Sequence, residues 1–297
     1  MSSIRVNPYP MPDLLAALEH LQQQQSNATL ELATGSSINK PSDDPAGAAQ
    51  LAKINDLSTQ VDSFQRSISA ISGQFSTADS TFSSVVTVLQ RAISLGVEAA
   101  NGTLADADRA AVATELTGIQ SELLNLANTS YQGQYIFSGT STAQPFVVDP
   151  AQPSQVRYTG NTGTNNVTIG AGYQLQVNLP GSQIFNGPGS DMFLAIQDMI
   201  TAVQTNANIG ATVTEVGSAL TYITGQRVFY GNALNQTQSQ QTYLNAQSLS
   251  LSQQLNVVSG ANVPAVASQL VNDQTAQTAA LEAIGKASQS NLFDFLK

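Results

Sequence analysis

The chain has 297 residues, a formal net charge of −10 and only 10% charged residues. This charge balance argues against a nucleic-acid partner and against binding to an anionic membrane surface. The absence of cysteine and the single histidine exclude disulfides, thiolate chemistry and a histidine-cluster metal site. No apolar run approaches the ~18 residues of a membrane span, so we expect no membrane insertion. Residues 1–13 lack the apolar core of a secretory signal peptide, which predicts a cytoplasmic protein or export by another route.

A first helix is predicted after residues 1–10, which contain Pro8 and Pro10 and should be irregular. Apolar residues recur there in alternating steps of three and four, the heptad pattern of a helix that packs along one seam. The seam positions are Met11, Leu14, Leu18, Leu21, Gln25, Ala28 and Leu32, of which only Gln25 is polar. His20 lies off this seam and is interpreted as solvated, and Gly35 suits a helix C-cap.

A second, much longer helix is predicted to begin at Asp44 and Pro45, which suit the N-cap and the first helical position. From Ile54 to Ala92 the heptad spacing is kept without a missed step over about 58 Å of helix. The seam positions are Ile54, Leu57, Val61, Phe64, Ile68, Ile71, Phe75, Ala78, Phe82, Val85, Leu89 and Ala92. A helix of this length needs long partner helices, in the same chain or in other copies, to cover its seam.

The next helix should follow the turn pair Asn101-Gly102, be capped by Asp106 or Asp108, and lie antiparallel to the long helix. Its seam positions are Val112, Leu116, Ile119, Leu123 and Leu126.

After Tyr131 the apolar period shortens and Gly, Pro and aromatic residues become frequent, which predicts a compact β-rich module. The predicted strands are Tyr135–Phe137, Phe146–Val148, Gln155–Tyr158, Asn166–Ile169 and Tyr173–Leu179.

Helical periodicity returns after Gly189-Ser190-Asp191 and continues towards the end of the chain. The predicted helical faces carry Phe193, Ile196, Ile200 and Val203, then a long seam from Val213 to Val258, then Val266, Leu270, Leu281 and Ile284. Because long heptad helices occupy both ends of the sequence, they should pair with each other. We therefore predict a mainly α protein, with a long antiparallel coiled-coil rod formed by the N- and C-terminal segments and a small inserted β-rich domain.

Two stretches near the N-terminus resemble the bacterial flagellin family. They are Leu32–Asn39 with Ser42–Gly47, and Leu89–Arg91 with Leu95 and Ala100–Thr103. Other motifs resemble the branch of this family that joins the flagellar hook to the filament more than they resemble flagellin itself. These are Gly133–Thr140 followed by Pro145-Phe146, Tyr158–Gly160, Ile169-Gly170, Phe185–Gly187, Asp191–Phe193 and the chain end Leu292–Leu296. Their order and spacing extend the resemblance over nearly the whole chain.

The resemblance implies three parts. Residues 1–43 and 257–297 would form an inner, axial coiled coil, residues 44–135 and 190–256 a helical rod, and residues 136–189 a small β-rich outer domain. The terminal seams would pair within and between subunits through Leu14, Leu18, Leu21, Leu32, Leu270, Leu281 and Ile284. Rod packing would use Ile54, Leu57, Phe64, Phe75, Phe82, Leu89 and an exposed Arg91. No long seam should depend on the β module, so its removal should be milder than removal of residues 257–297.

The resemblance also implies a function: self-assembly into a ring of subunits that adapts the hook to the filament. The implied partners are further copies of the chain, an adjacent hook-associated protein on the hook side, flagellin on the filament side, and the flagellar export chaperone and export apparatus. The implied location is extracellular, on the flagellum, after export without a cleaved signal peptide.

Two alternatives stay open at this point: flagellin itself, or a coiled-coil adhesin or injectisome-tip protein that presents the β module to a ligand.

Motifs for catalysis are missing or incomplete, since no nucleophile elbow, Walker A loop or H-E-x-x-H occurs. Gly170-Ala171-Gly172 lacks the third glycine of a dinucleotide loop and predicts a tight turn, and Asp106-Ala107-Asp108 lacks the rest of a calcium loop. We expect no enzymatic activity, no cofactor and no metal.

Overall fold

The computed structural model describes residues 11–102 and 104–294. Residues 1–10, which the sequence predicts to be irregular, and the last two residues of the Leu292–Leu296 motif lie outside the described residues. The helices are α1 Met11–Thr34, α2 Pro45–Ala99, α3 Asp106–Ala127, α4 Gly181–Phe185, α5 Met192–Thr205, α6 Ile209–Ser259 and α7 Val263–Asp294. The strands are β1 Ser130–Tyr131, β2 Gln134–Tyr135, β3 Phe146–Val148, β4 Val156–Tyr158, β5 Asn166–Gly170, β6 Tyr173–Gln176, β7 Asn186–Gly187 and β8 Ser190–Asp191. The predicted fold class, mainly α with a small β-rich region, is confirmed.

The chain divides into two compact units. We call residues 1–60 with 247–297 the terminal unit, and residues 61–246 the middle unit. The terminal unit contains α1 and α7, whereas the middle unit contains α3, α5 and the β-rich region. This division does not test the boundaries predicted for three domains, which stay predictions.

The signals that end α1 and begin α2 act as predicted. Gly35 has a φ of +69° and its N–H donates to the Glu31 carbonyl at 2.9 Å, which ends α1 in a left-handed turn. The N–H of Ala46 donates to Asp44 Oδ1 at 3.0 Å, so Asp44 caps the start of α2.

The predicted cap of α3 is wrong. Its N-cap is Ala105, which makes no side-chain cap bond. Asp106 and Asp108 instead lie inside the first turn, where their negative charges interact favourably with the positive N-terminal end of the helix dipole. Asp106 also pairs with Arg109.

The β-rich region consists of four antiparallel pairs, β1–β2, β3–β4, β5–β6 and β7–β8. The strands predicted around residues 146, 156, 166 and 173 are present, although the last of them ends at Gln176 rather than at Leu179. Gly172 makes the predicted turn with a φ of +72°. The predicted strand Tyr135–Phe137 is wrong after Tyr135. Gln132 and Gly133 both have positive φ, as in a type I′ turn, so the chain folds into a hairpin there and β2 ends at Tyr135.

An aromatic cluster forms the core of the middle unit. Phe82 of α2 has its ring centre 5.3 Å from Tyr230 of α6 and 5.9 Å from Phe137. Further ring contacts join Phe137 to Phe185, Phe185 to Phe146, and Phe146 to Phe193 of α5. The expectation that no long seam depends on the β module is therefore wrong, because Phe137 and Phe185 contact Phe82 and supply part of the surface that buries the α2 seam.

Candidate self-assembly surfaces

In the terminal unit, α1 and α7 pack against each other in antiparallel orientation. Ser36 and Gly260 form an isolated antiparallel bridge next to the helix ends. The N–H of Ser37 donates to the Ser259 carbonyl at 2.7 Å, and the N–H of Ala261 donates to the Gly35 carbonyl at 3.0 Å. These backbone bonds tie the end of α1 to the start of α7.

The seam between α1 and α7 is only partly closed. The predicted residues Leu14, Leu18, Leu21, Leu32, Leu270 and Ile284 are half-buried rather than buried. Among the side chains of α1 and α7 that the structure describes, only Ala28 and Asp273 are buried. Much of the apolar surface of these two helices is therefore still available for further contacts.

Leu281 does not join this intrachain seam. It is 51% exposed, whereas its neighbour Ala280 is half-buried. One residue corresponds to a rotation of about 100° around a helix, so Leu281 points away from the face that Ala280 shares with α1. Other exposed apolar residues on the same two helices are Leu15, Leu30, Val263 and Val271. Leu281 belongs with these residues, which form candidate contacts between copies.

A groove between the terminal-unit parts of α2 and α6 is the other open apolar feature of this unit. Its volume is about 530 Å³. It is lined by Gln50, Lys53, Ile54, Leu57, Ser250, Gln253, Gln254, Val257 and Val258. Ile54 and Leu57, predicted for rod packing, lie here, and Val257 is 87% exposed. Ile54 is nevertheless buried and Leu57 is half-buried, so only Leu57 of these two predicted packing residues is partly accessible.

The other predicted rod-packing residues are mostly internal. Phe75, Phe82 and Leu89 are fully buried in the middle unit, and Phe64 is half-buried. The packing of Phe75, Phe82 and Leu89 holds α2 within its own chain, so these three cannot themselves contact a neighbouring subunit.

Arg91 lies on the surface, as expected, and its guanidinium is engaged within the chain. Its side chain is 61% exposed, and its Nε and Nη2 donate to Glu115 Oε1 of α3 at 2.9 and 2.5 Å. The sequence analysis missed Glu115. The sequence contained one signal for this contact, because Glu115 is an acidic side chain on the helix that is predicted to lie antiparallel to α2.

A second ion pair, which the sequence analysis also missed, joins α2 to α6. Arg227 donates from Nε to Asp79 Oδ1 at 2.6 Å and from Nη2 to Oδ2 at 2.9 Å, a bidentate contact. The hydrogen bonds from Arg227 hold the pKa of the Asp79 carboxyl below its usual range. The sequence contained a signal for this ion pair, because Arg227 is a charged residue at a heptad seam position of a run that is otherwise mostly apolar.

No group of three or more His, Asp or Glu side chains within residues 11–102 and 104–294 is placed to hold a metal ion. No described helix is long and apolar enough to cross a membrane. Burial raises the pKa of the Tyr230 phenol far above its usual range, and its oxygen accepts from the Leu179 N–H, so this group is a core side chain.

Comparison with known proteins gives a consistent result. The model of the bacterial flagellin N-terminal helical region matches residues 12–142. Flagellar hook-associated protein 3 of Escherichia coli is 26% identical over 293 residues, which are 90% of this chain and 91% of that protein. Flagellin of Listeria monocytogenes is 33% identical, but over 132 residues that are 43% of this chain and 46% of that protein. The similarity to this hook-associated protein thus covers most of the chain, and the similarity to this flagellin covers less than half of it.

Among solved structures, flagellar hook associated protein-3 of Legionella pneumophila has the same fold. Its TM-score is 0.63 at 16% identity, with 70% of this chain and 98% of that chain covered. At this identity the likeness concerns the fold alone.

Proposed function

We propose that this chain, which belongs to the bacterial flagellin family, is the structural subunit that joins the flagellar hook to the filament. It acts by packing, as a self-assembling structural protein rather than as an enzyme. The observation that carries the proposal is the match over 90% of the chain to a hook-associated protein 3, against 43% for the flagellin of Listeria monocytogenes and 70% for polar flagellin B/D of Vibrio parahaemolyticus. Flagellin itself is therefore the less favoured function.

The proposed mechanism uses the open surfaces of the terminal unit. The half-closed seam of α1 and α7 and the exposed residues around Leu281 would be covered by the same helices of neighbouring copies, forming a ring. Burying apolar surface contributes roughly 25 cal/mol per Å², so many copies of a small contact give a stable assembly. A chain with only 10% charged residues supports close packing of identical copies, because few like charges are brought together.

The proposal also covers the partners of the ring and the location of the protein. One end of the ring would contact an adjacent hook-associated protein and the other end flagellin. The chain would reach the outside of the cell through the flagellar export apparatus, guided by an export chaperone and without a cleaved signal peptide. Family membership supports these partners and this location.

Deletion of the gene from the source bacterium tests the function. Mutant cells should carry complete hooks without filaments and should release flagellin into the medium, because flagellin lacks a matching surface on the hook. Electron microscopy of the cells and immunoblotting of the medium give the two readouts. Normal filaments on the mutant hooks would contradict the junction role.

Complementation with matched variants then locates the function. A chain without residues 257–297 should fail to restore filaments, because α1 loses the helix that packs against it. The full chain with Val97→Ala, a change at an exposed position of α2, should restore them and serves as the control.

A further inference from the structure

A polar layer interrupts the largely apolar contact between α1 and α7. Gln25 is the one polar position in the predicted seam of α1, and Asp273 of α7 is only 9% exposed. Gln25 Nε2 and Asp273 Oδ2 are both buried and have no hydrogen-bond partner. Native structures rarely leave buried polar atoms unpaired, since each one costs free energy, so these two atoms require a partner.

The antiparallel pairing brings the two residues to the same level. Gln25 lies nine residues before the end of α1 at Thr34, and Asp273 lies ten residues after the start of α7 at Val263. The bridge between Ser36 and Gly260 lies just beyond these two helix ends. The same count places the other inward positions opposite each other as Leu32 and Val266, Ala28 and Leu270, Leu21 and Gln277, Leu18 and Ala280, and Leu14 and Ile284, all of them buried or half-buried.

We propose that Gln25 and Asp273 pair with each other, directly or through one water, and that this layer determines the register of the terminal helices. Their chemistry is complementary, because the Gln25 amide offers two N–H donors and an ionised carboxylate only accepts. A single polar layer in a heptad seam is an established way to specify register at some cost in stability.

A shift of α1 against α7 by one heptad shows how the polar layer distinguishes the proposed register from a wrong one. In either shifted register, Asp273 would lie opposite Leu18 or Leu32 and would lose its donor. A carboxylate buried against leucine is much less favourable than one opposite an amide. The layer therefore acts against wrong registers more than it stabilises the right one.

Other register determinants are scarce in this seam. Between residues 263 and 286 the charged residues of α7 are Asp273, Glu282 and Lys286, and the last two are exposed. The Ser36–Gly260 bridge lies about 20 Å away along the helices. It also acts only within one chain, whereas side chains alone can select the register when helices of different copies meet. The inference does not depend on the junction role.

Disulfide trapping in the full chain after assembly tests the register, because the natural sequence contains no cysteine. The pair Ala28→Cys/Leu270→Cys reports the proposed register, since a disulfide needs Cα atoms within about 7 Å. Leu21→Cys/Leu270→Cys and Ala28→Cys/Gln277→Cys report a slip of one heptad in each direction. Each pair is oxidised in the parent chain and in the Gln25→Leu/Asp273→Leu background.

The parent should trap the 28–270 pair several-fold more than either slipped pair. The double leucine change should raise the slipped products towards the level of the 28–270 product while circular dichroism shows no loss of helix. Gln22→Leu/Asn272→Leu, at two exposed positions of the same helices, should leave the parent preference unchanged. Asp273→Asn, which keeps an acceptor, should also keep it.

Two results would overturn the proposal. One is equal trapping of all three pairs in the parent chain. The other is an unchanged preference for the 28–270 pair after the double leucine change. If the double leucine variant loses its helix content, the Asp273→Asn variant serves as the test instead. Loss of the preference for the 28–270 pair in that variant would show that a polar pair at these two positions is not sufficient to determine the register.

Discussion

The terminal and middle units bury their seams to very different extents. In the middle unit Phe75, Phe82 and Tyr230 are fully buried, and residues of the β-rich region complete their surroundings. In α1 and α7 of the terminal unit, Ala28 is the only apolar side chain among the described ones that is buried. Similar heptad patterns therefore lead to a closed core in one unit and an open seam in the other.

The difference separates folding from assembly. Ordering a residue costs roughly 1–2 kcal/mol of backbone entropy, which a closed aromatic core can offset and a half-buried seam offsets poorly. The middle unit thus has the burial needed to fold within one chain. The terminal helices have apolar surface in reserve, which suits a protein that we propose to assemble with copies of itself.

The largest expected effect comes from opening the closed core. Phe82→Ala should lower the free energy of unfolding by about 3–5 kcal/mol, because it leaves a cavity among Phe137, Phe185 and Tyr230. Chemical denaturation followed by circular dichroism measures the change. Val97→Ala on the exposed side of the same helix is the control and should stay within about 0.5 kcal/mol of the parent. A small effect of Phe82→Ala would show that the middle unit is not held by this cluster.

The bidentate pair between α2 and α6 should have a smaller and pH-dependent effect. Asp79→Asn should cost about 1 kcal/mol at pH 7, since the pair is partly exposed to solvent. Because the pKa of Asp79 is lowered in the folded chain, its contribution is present above the unfolded value of about 4 and is lost as the pH falls through the folded value. Denaturation at pH 7 and near pH 2 should therefore show the difference from the parent shrinking in acid.

The exposed Asp62, also on α2, supplies the matched control. Asp62→Asn should have little effect at either pH. An Asp79→Asn difference that persisted unchanged in acid would mean that packing, and not the ion pair, causes it.

The smallest effect on folding is expected at Arg91. Arg91→Ala should change the free energy of unfolding by less than about 1 kcal/mol, because its pair with Glu115 is solvent-exposed. If Arg91 also contacts neighbouring copies, this variant should assemble less well, as measured by sedimentation of the polymerised protein. Glu115→Ala removes the same intrachain pair but keeps Arg91, so it should assemble normally. Equal loss of assembly in both variants would assign the effect to the intrachain pair.

Periodicity alone predicted the long helices, because a heptad pattern reports which residues share a face, but it did not predict the short α4. It could not predict how completely a face is covered, since this depends on residues distant in sequence. The contact of Phe82 with Phe137 and the exposure of Leu281 are examples. The hairpin at Gln132-Gly133 was missed because glutamine is uncommon at positive φ, and the polar break at Gln25 was visible without its counterpart Asp273.

Hydrogen exchange of the full chain, free and assembled, tests the division between folding and assembly most directly. In a verified monomer, the amides of α1 and α7 should exchange rapidly while those around Phe82 and Tyr230 stay protected. Assembly should protect α1 and α7 and leave the middle unit almost unchanged. Limited proteolysis of the monomer should agree by trimming about 40 residues from each end, as expected for helices whose ordering entropy is not offset. Full protection of α1 and α7 in the monomer would contradict the account.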